Sequence, residues 1–329
     1  MKVLFIGGTG TISSACSELA IKRGIELSLL NRGQSNRKAP QGAEIITADI
    51  RDPDSASKAL SGKYFDAVVD WIAFTPEQIL MDIDLFSDKC GQFIFISSAS
   101  AYHTPPPFLP VTESATLSNP HWEYSRNKIA CEEILIGEYR KTGFPATIVR
   151  PSHTYDKTML PMTGGFTNVR RMREGKEVII HGDGTSLWTL THHRDFAVGL
   201  VGLLAHPQSI GEAFHITSSE WLTWEQIFRV IAKASGGELK PVYVPSNVIA
   251  GYDKDWGDGL LGDKAHSMIF DNSKIRRLVP DFNPSIPFSR GAEEILAWYD
   301  ADPSRQAINE KFDKLADKII ADWKKTFRA

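Results

Sequence analysis

The stretch Met1-Lys-Val-Leu-Phe-Ile-Gly-Gly-Thr-Gly-Thr-Ile-Ser13 decides how the rest of the chain is read. Lys2 to Ile6 is a short β-branched and aromatic run, long enough for a fully buried strand. Gly7, Gly8 and Gly10 follow at once, and Ile12 to Lys22 then carries Ile12, Cys16, Leu19 and Ala20 at helical spacing. Strand, glycine turn and helix together are the context in which glycines signal dinucleotide binding. Gly7 allows the tight turn off the strand. Gly8 or Gly10 lets backbone approach a pyrophosphate where a Cβ would collide. The amides of Thr11 and Ile12 sit at the positive end of the new helix. The spacing is Gly7-x-x-Gly10-x-x-Ser13, with serine where ordinary dehydrogenases carry a third glycine.

Downstream, strand-like runs at Glu26–Leu30, Glu44–Thr47, Ala67–Asp70, Gln92–Ser97 and Ala146–Arg150 alternate with helical stretches. Those helices are expected at Ile12–Lys22, Ser55–Leu60, Pro76–Phe86 and Tyr124–Lys141. The alternation predicts an α/β fold, a Rossmann-type doubly wound parallel sheet whose strand ends share one ligand-binding edge. Residues 1–150 are expected to form the dinucleotide-binding domain and residues 151–329 a smaller substrate lobe, some segments of which return to the core.

The second strand ends in Asn31-Arg32 instead of the acid that holds an NAD ribose. A neutral Asn31 and a positive Arg32, with Arg37 and Lys38 nearby, would attract a 2′-phosphate, which points to NADP with NAD as the alternative. Arg32 could instead stack on the adenine or point to water. In Ala48-Asp49-Ile50, Asp49 can accept from an adenine amino group. The backbone at Trp71 would pass beside the cofactor, and Asp70 is read equally as a turn cap.

The fifth strand runs out through Ser97-Ser98-Ala99-Ser100-Ala101-Tyr102, and Tyr124-Ser-Arg-Asn-Lys128 follows. Residues i and i+4 share a helix face, so Tyr124 and Lys128 project together. An ammonium beside a phenol favours phenolate and would lower the tyrosine from its usual ~10. Such a tyrosine exchanges a proton with an alcohol or carbonyl near neutral pH. A hydroxyl such as Ser98 would hold the reacting oxygen, and Lys128 could also grip the nicotinamide ribose.

With these motifs the chain resembles the extended short-chain dehydrogenase/reductase superfamily, in its NAD-dependent epimerase/dehydratase branch. Arg150-Pro-Ser-His-Thr-Tyr155, His181-Gly-Asp-Gly184 and His193-Arg-Asp-Phe-Ala197 extend the likeness over nearly the whole chain. The resemblance implies Tyr124 as acid/base, Lys128 as its modifier and ribose ligand, and Ser98 as donor to the substrate oxygen, with Ser100 the second candidate. It implies a homodimer packed through the helices at Pro76–Phe86 and Tyr124–Lys141. Ile79, Ile83, Ile129 and Ile136 fit such a face, or the sheet.

Three departures shape the expected substrate. Ala99-Ser100 replaces the Asp-Glu pair of the family's 4,6-dehydratases, which argues against dehydration. Arg150-Pro-Ser-His153 replaces Arg-Pro-x-Asn. Trp188 stands where nucleotide-sugar enzymes carry a pyrophosphate-binding arginine, and an indole cannot neutralise a phosphate. Ser98, Ser100, His153 and Trp188 are thus expected at the substrate, a sugar or sugar-like polyol that lacks a nucleotide diphosphate. Arg170, Arg171, Arg173 and Arg194 could still serve such a group. The expected enzyme is an NAD(P)-dependent epimerase, dehydrogenase or reductase. A catalytically idle dinucleotide-binding or RNA-associated protein on the same fold is the alternative.

Composition agrees with an enzyme. The 329 residues are 42% hydrophobic and 23% charged, with a net charge of -3 that gives no reason to expect nucleic acid or an acidic membrane. Three cysteines, Cys16, Cys90 and Cys131, with no C-x-x-C, fit free thiols in a reducing, cytoplasmic setting. No apolar run approaches the ~20 residues of a membrane span, and Val3–Ile6 is too short for a signal h-region. His153, His181, His192 and His193 lack a metal-ligand spacing, so no metal site is expected. In the second half, Met159–Thr167 reads as a lid loop, Thr223 as a helix N-cap, Tyr252–His266 as a long loop, and Pro303–Ala329 as one amphipathic helix.

Overall fold

The structure, a computed structural model, describes residues 1–34 and 37–326. The strands are β1 (Lys2–Ile6), β2 (Glu26–Asn31), β3 (Glu44–Thr47), β4 (Ala67–Asp70), β5 (Phe93–Ile96), β6 (Ala146–Pro151), β7 (His153–Tyr155), β8 (Glu177–His181), β9 (Leu187–Trp188), β10 (Leu190–His192), β11 (Ala213–Ile216), β12 (Leu222–Thr223) and β13 (Lys240–Val244). The helices that matter below are α1 (Ser13–Lys22), α2 (Pro53–Ala59), α3 (Pro76–Phe86), α4 (Glu123–Thr142), α5 (Phe166–Arg173), α6 (His193–Leu203), α7 (Trp224–Ser235), α8 (Ser246–Tyr252) and α9 (Lys254–Gly259). They are followed by α10 (Ser273–Leu278), α11 (Phe288–Asp300) and α12 (Glu310–Thr326).

Seven parallel strands form one sheet in the order β11-β6-β5-β4-β1-β2-β3. The order reverses between β1 and β4, which opens a crevice at their carboxyl ends. All six expected strands are present. The seventh, β11, is an addition from deep in the second half: Ala213-Phe-His-Ile pairs with β6, Phe214 opposite Val149. Four residues with a histidine among them carry too little periodicity to announce a strand.

Alternation along each buried strand sends side chains to two layers. Phe5, Leu29, Val69 and Phe214 meet Cys16 of α1 and Leu200 of α6 on one face. Leu4, Val68 and Phe95 meet Ile79 and Phe86 of α3 and Leu135 of α4 on the other. Ile79 is fully buried against the sheet, so it cannot contribute to an interface between copies. Helix starts are chemically specified: Thr75 with Gln78, and Thr223 with Gln226, each form a reciprocal capping box.

Two expectations for the second half are corrected. Residues 252–266 are not a loop: α9 and a π-helical turn, Leu260–Lys264, occupy most of them, because Asp253 caps the amide of Trp256 and the apolar Trp256 and Leu260 pack on the core beneath α12. The tail helix begins at Glu310, not Pro303, after a short turn at Pro303–Arg305; residues 327–329 lie outside those described. Phe312, Ile319 and Ile320 of α12 pack on Val244 and Ile249. Cys16, Cys90 and Cys131 are free and buried, and among the described residues no helix is long and apolar enough to cross a membrane.

Candidate active site

A cleft of about 900 Å³ lies at the reversal of strand order, lined by Gly7–Ser13, Asn31, Arg32, Asp49, Ile50, Trp71 and neighbours. Gly7 and Gly8 both take positive φ, +102° and +96°. Gly8 resolves one of the open readings. A Cβ there would lie 2.6 Å from Leu29 and 3.3 Å from Ser17 Oγ, and Ser17 Oγ donates to the Gly8 carbonyl at 2.8 Å. Gly8 therefore allows helix α1 to close on β2, the role given to the third glycine elsewhere. Gly10 is exposed at the cleft, and Ser13 Oγ accepts its amide at 2.7 Å. Ser13 thereby ties the turn to the first residue of α1.

Around the cleft the polar groups sort by partner. Asp70 is a turn cap: its Oδ1 accepts from the amides of Ile72 (2.6 Å) and Ala73 (2.9 Å). Arg51 bonds Asp70 and Asp82, and that buried pair drives the Asp82 carboxyl well above its usual range through desolvation and the neighbouring Asp70 charge. Asp49 accepts the Arg51 amide at 3.0 Å and lies 3.8 Å from Arg32. The Arg32 side chain is 61% exposed at the rim. Arg37, expected beside Arg32, instead crosses to Asp156 (2.7 Å) and Thr158 (2.6 Å), where a buried carboxylate outcompetes solvent. Trp71 lines the cleft, and its buried indole N–H has no partner among the described residues.

A second pocket, about 350 Å³, opens beside it and is lined by Ser98, Ser100, Trp122, Tyr124, His153 and Trp188, with Met159, Asp263 and Lys264. It brings together all four residues expected at the substrate. Sequence reasoning missed Trp122, Asp263 and Lys264. Trp122 stands two residues before Tyr124, its ring 5.0 Å away. The Gly, Asp and Trp content of 252–266 was the only local sign of the other two. Trp188 Nε1 donates to His153 Nδ1 at 3.2 Å, and burial with the nearby Lys264 charge pulls the His153 pKa to about 3, so this ring is neutral.

Three hydroxyls run in a chain beside Tyr124. Ser125 Oγ donates to Ser100 Oγ (2.7 Å), which lies 2.8 Å from Ser98 Oγ, and the Ser100 amide also donates to Ser98 Oγ (3.1 Å). With Ser125 donating into Ser100, the Ser100 proton goes to Ser98, whose own proton is left for an oxygen in the pocket. Ser98 also acts on the Tyr124 phenol, opposing the rise in its pKa.

The expectation for Tyr124 itself is corrected. Its phenol is raised above its usual value, first by burial and also by Asp263, with Ser98 opposing. Lys128 does not lower it here. The ammonium is spent on the carbonyls of Ala73 (2.7 Å) and Ile96 (2.8 Å) and sits 5.8 Å from the tyrosine ring centre. Its own pKa is pulled down to about 8 by burial. What aims both side chains is a buried clamp. Glu132, one turn beyond Lys128, takes Arg150 in a two-pronged ion pair and accepts from Ser97 Oγ at 2.5 Å. The ends of β5 and β6 are thus locked to α4.

The four arginines held open for a diphosphate are engaged elsewhere. Arg170 and Arg171 bind Asp313 of α12, Arg173 binds Asp300 and Arg194 binds Glu294. His192 lies 3.3 Å from Glu294, a structural contact. Among the described residues, no three His, Cys, Asp or Glu side chains converge as a metal site would require.

Comparison with known proteins agrees with this architecture. The chain is 24% identical over 302 residues to the 2′-dehydrokanamycin reductase of Streptomyces kanamyceticus, covering 91% of this chain and 84% of that protein. It is 25% identical over 249 residues to the chloroplast stem-loop binding protein of 41 kDa b of Arabidopsis thaliana, 71% and 63% of the two chains. The solved UDP-glucose 4-epimerase of Bifidobacterium longum, in complex with NAD+ and UDP, superposes with a TM-score of 0.74 at 17% identity, over 93% of this chain and all of that one. The model of the NAD dependent epimerase/dehydratase family matches residues 3–217, and the chain belongs to that family.

Proposed function

We propose that the protein is an NADP(H)-preferring oxidoreductase or epimerase acting on a carbinol or keto carbon of a sugar-like molecule without a nucleotide diphosphate. Residues 1–150 serve the dinucleotide and residues 151–329 mainly the substrate. The glycine turn with Thr11 and Ile12 would hold the pyrophosphate, Asp49 with Ile50 would flank the adenine, the backbone at Trp71 would pass beside the cofactor, and Asn31 with Arg32 would meet a 2′-phosphate. The exposed Gly10 at the mouth of the cleft supports such an occupant. NAD(P) bound there supplies or accepts hydride at nicotinamide C4.

The chain's own groups handle the proton. Tyr124 gives or takes it at the substrate oxygen, Ser98 donates a hydrogen bond to that oxygen, and Lys128 holds the nicotinamide ribose. A tyrosine held neutral by burial suits proton donation to a ketone. The observation that carries the reading is the single pocket that unites Ser98 and Tyr124 with two tryptophan walls and no arginine. At about 350 Å³ it is at the small end of ligand sites, which run from about 300 to 1,000 Å³. One relative is named as a 2′-dehydrokanamycin reductase, and a pocket without arginine is compatible with a substrate that lacks a nucleotide diphosphate. A cytoplasmic homodimer using the outer faces of α3 and α4 completes the proposal, with Ile129 and Ile136 half-exposed there. A monomer mass by light scattering would remove the dimer.

The test titrates the protein with NADP(H) and NAD(H), then follows nicotinamide absorbance against sugars, nucleotide sugars and ketones. Net absorbance change that vanishes in Tyr124→Phe supports a reductase or dehydrogenase. Tight binding with interconversion of epimers and no net change supports an epimerase. Failure to bind either dinucleotide, or steeply salt-dependent affinity for RNA in its place, defeats the proposal.

A further inference from the structure

One wall of the substrate pocket lies outside the Ser98, Tyr124 and Lys128 set, although its Asp263 helps raise the Tyr124 phenol. It is the π turn Leu260–Lys264, a bulge of the kind that re-aims side chains and is frequent at functional sites. Here the turn is pinned from below. Buried Asn119 donates through Nδ2 to the carbonyls of Ser100 (2.9 Å) and Gly262 (2.7 Å), while its Oδ1 accepts from the amides of His121 (3.2 Å) and Trp122 (3.0 Å). A Cβ at position 262 would stand 2.9 Å from Asn119 Oδ1 and 3.0 Å from Trp122 Cβ, so the contact needs glycine. One amide side chain therefore joins three things: the strand end that carries Ser98, the helix start that carries Tyr124, and the turn that carries Asp263 and Lys264.

Asp263 and Lys264 line the same pocket as Ser98 and Tyr124. Their side chains are only 13% and 21% exposed, and Lys264 Nζ lies 3.2 Å from Asp263 Oδ2. The same ammonium is 5.4 Å from the Trp122 ring centre and 5.7 Å from that of Trp188. A lone carboxylate in this place would select cations, and a lone ammonium would select phosphate. Held together, their charges cancel at a distance and act at contact as one acceptor beside one donor. That arrangement matches two neighbouring hydroxyls on a ring whose apolar face lies on an indole.

We propose that Asp263 and Lys264 are specificity-determining residues that select a neutral ring with adjacent hydroxyls, and that the Asn119 bridge keeps them in register with Tyr124. This rests on reading the pocket as the substrate site. Binding is measured without turnover, through the fluorescence of Trp122 and Trp188, with methyl pyranosides of gluco, galacto and manno configuration, their 2-deoxy analogues, and UDP-glucose. The wild type binds at least one methyl pyranoside. Asp263→Asn, Lys264→Met and removal of the 2-hydroxyl each weaken that binding about tenfold or more. UDP-glucose gains nothing over the simple glycoside.

Dinucleotide affinity and melting temperature, unchanged in both variants, separate this from misfolding; a variant that does not fold leaves the other and the 2-deoxy comparison to decide. No response to any pyranoside, equal binding by wild type and both variants, or UDP-glucose bound about a hundredfold tighter would each overturn the proposal. Pyranoside binding that needs Asp263 in a protein without redox or epimerase turnover would defeat the proposed reaction and leave this inference standing.

Discussion

The two neighbouring cavities are built differently, and Tyr124 lines the smaller one. The cleft at the glycine turn takes one wall from a single consecutive run, Gly7–Ser13, with two positive-φ glycines, and the rest from the ends of β2, β3 and β4 and the residues just after them. The substrate pocket is made of side chains from five distant segments, around residues 98–100, 122–124, 151–159, 188–189 and 263–270. The first presents backbone at the glycine turn and an exposed Arg32 at its rim. The second presents indoles, hydroxyls and a self-neutralised ion pair, and its contents set what can react. A cofactor site can thus persist across a family while the neighbouring pocket changes its chemistry.

The largest effect expected from breaking this arrangement is at Tyr124. Tyr124→Phe should lower kcat by about 10²–10⁴-fold while dinucleotide affinity, measured by fluorescence titration, stays at the wild-type value. A parallel loss of affinity would mean that the two cavities are not separable.

Next comes the backbone of the cleft. Gly8→Val forces a side chain into Leu29 at a positive φ and should destabilise the fold by about 3 kcal/mol or more. Thermal melting reads it; an unchanged melting temperature would show that α1 does not need this close approach. Arg32→Glu, at the exposed rim, should cost about tenfold to a hundredfold in NADP affinity and leave NAD affinity nearly unchanged. Equal loss for both would place Arg32 at the adenine or the pyrophosphate instead.

The last effect is a pH dependence. Burial lowers the Lys128 pKa from 10.5 to about 8. Between those values the unfolded chain binds the extra proton, so the contribution of Lys128 to stability rises with pH from about 8 to 10.5 and is flat below. Melting curves of wild type minus Lys128→Met should show that rise. A difference that falls over the same range would mean that the ammonium is stabilised in its pocket of carbonyls, not penalised.

Much of the fold was legible because its signals are local. Six strands announce themselves as apolar runs, and glycines at 7, 8 and 10 mark the turn. Tyr124 and Lys128 share a helix face by spacing alone. Less legible was what each group does once packed. Gly8 turned out to serve helix–strand contact, a role visible only when Leu29 is opposite it. The four arginines left open for a diphosphate are each matched to an acid 100 or more residues away, and no spacing rule reports such pairs.

By itself the amino-acid sequence determined the parallel sheet, the dinucleotide turn and the hydroxyl, phenol and ammonium at its edge. Each depends on residues within one or two turns or strands of each other, where backbone geometry fixes direction. Tertiary structure alone decided that Lys128 would bond two carbonyls instead of acting on Tyr124, and that Asp263 and Lys264 would wall the pocket. It also decided that β11 would complete the sheet. Those outcomes turn on burial and on partners brought from far along the chain. Desolvation and pairing energies exist only once the chain has closed on itself.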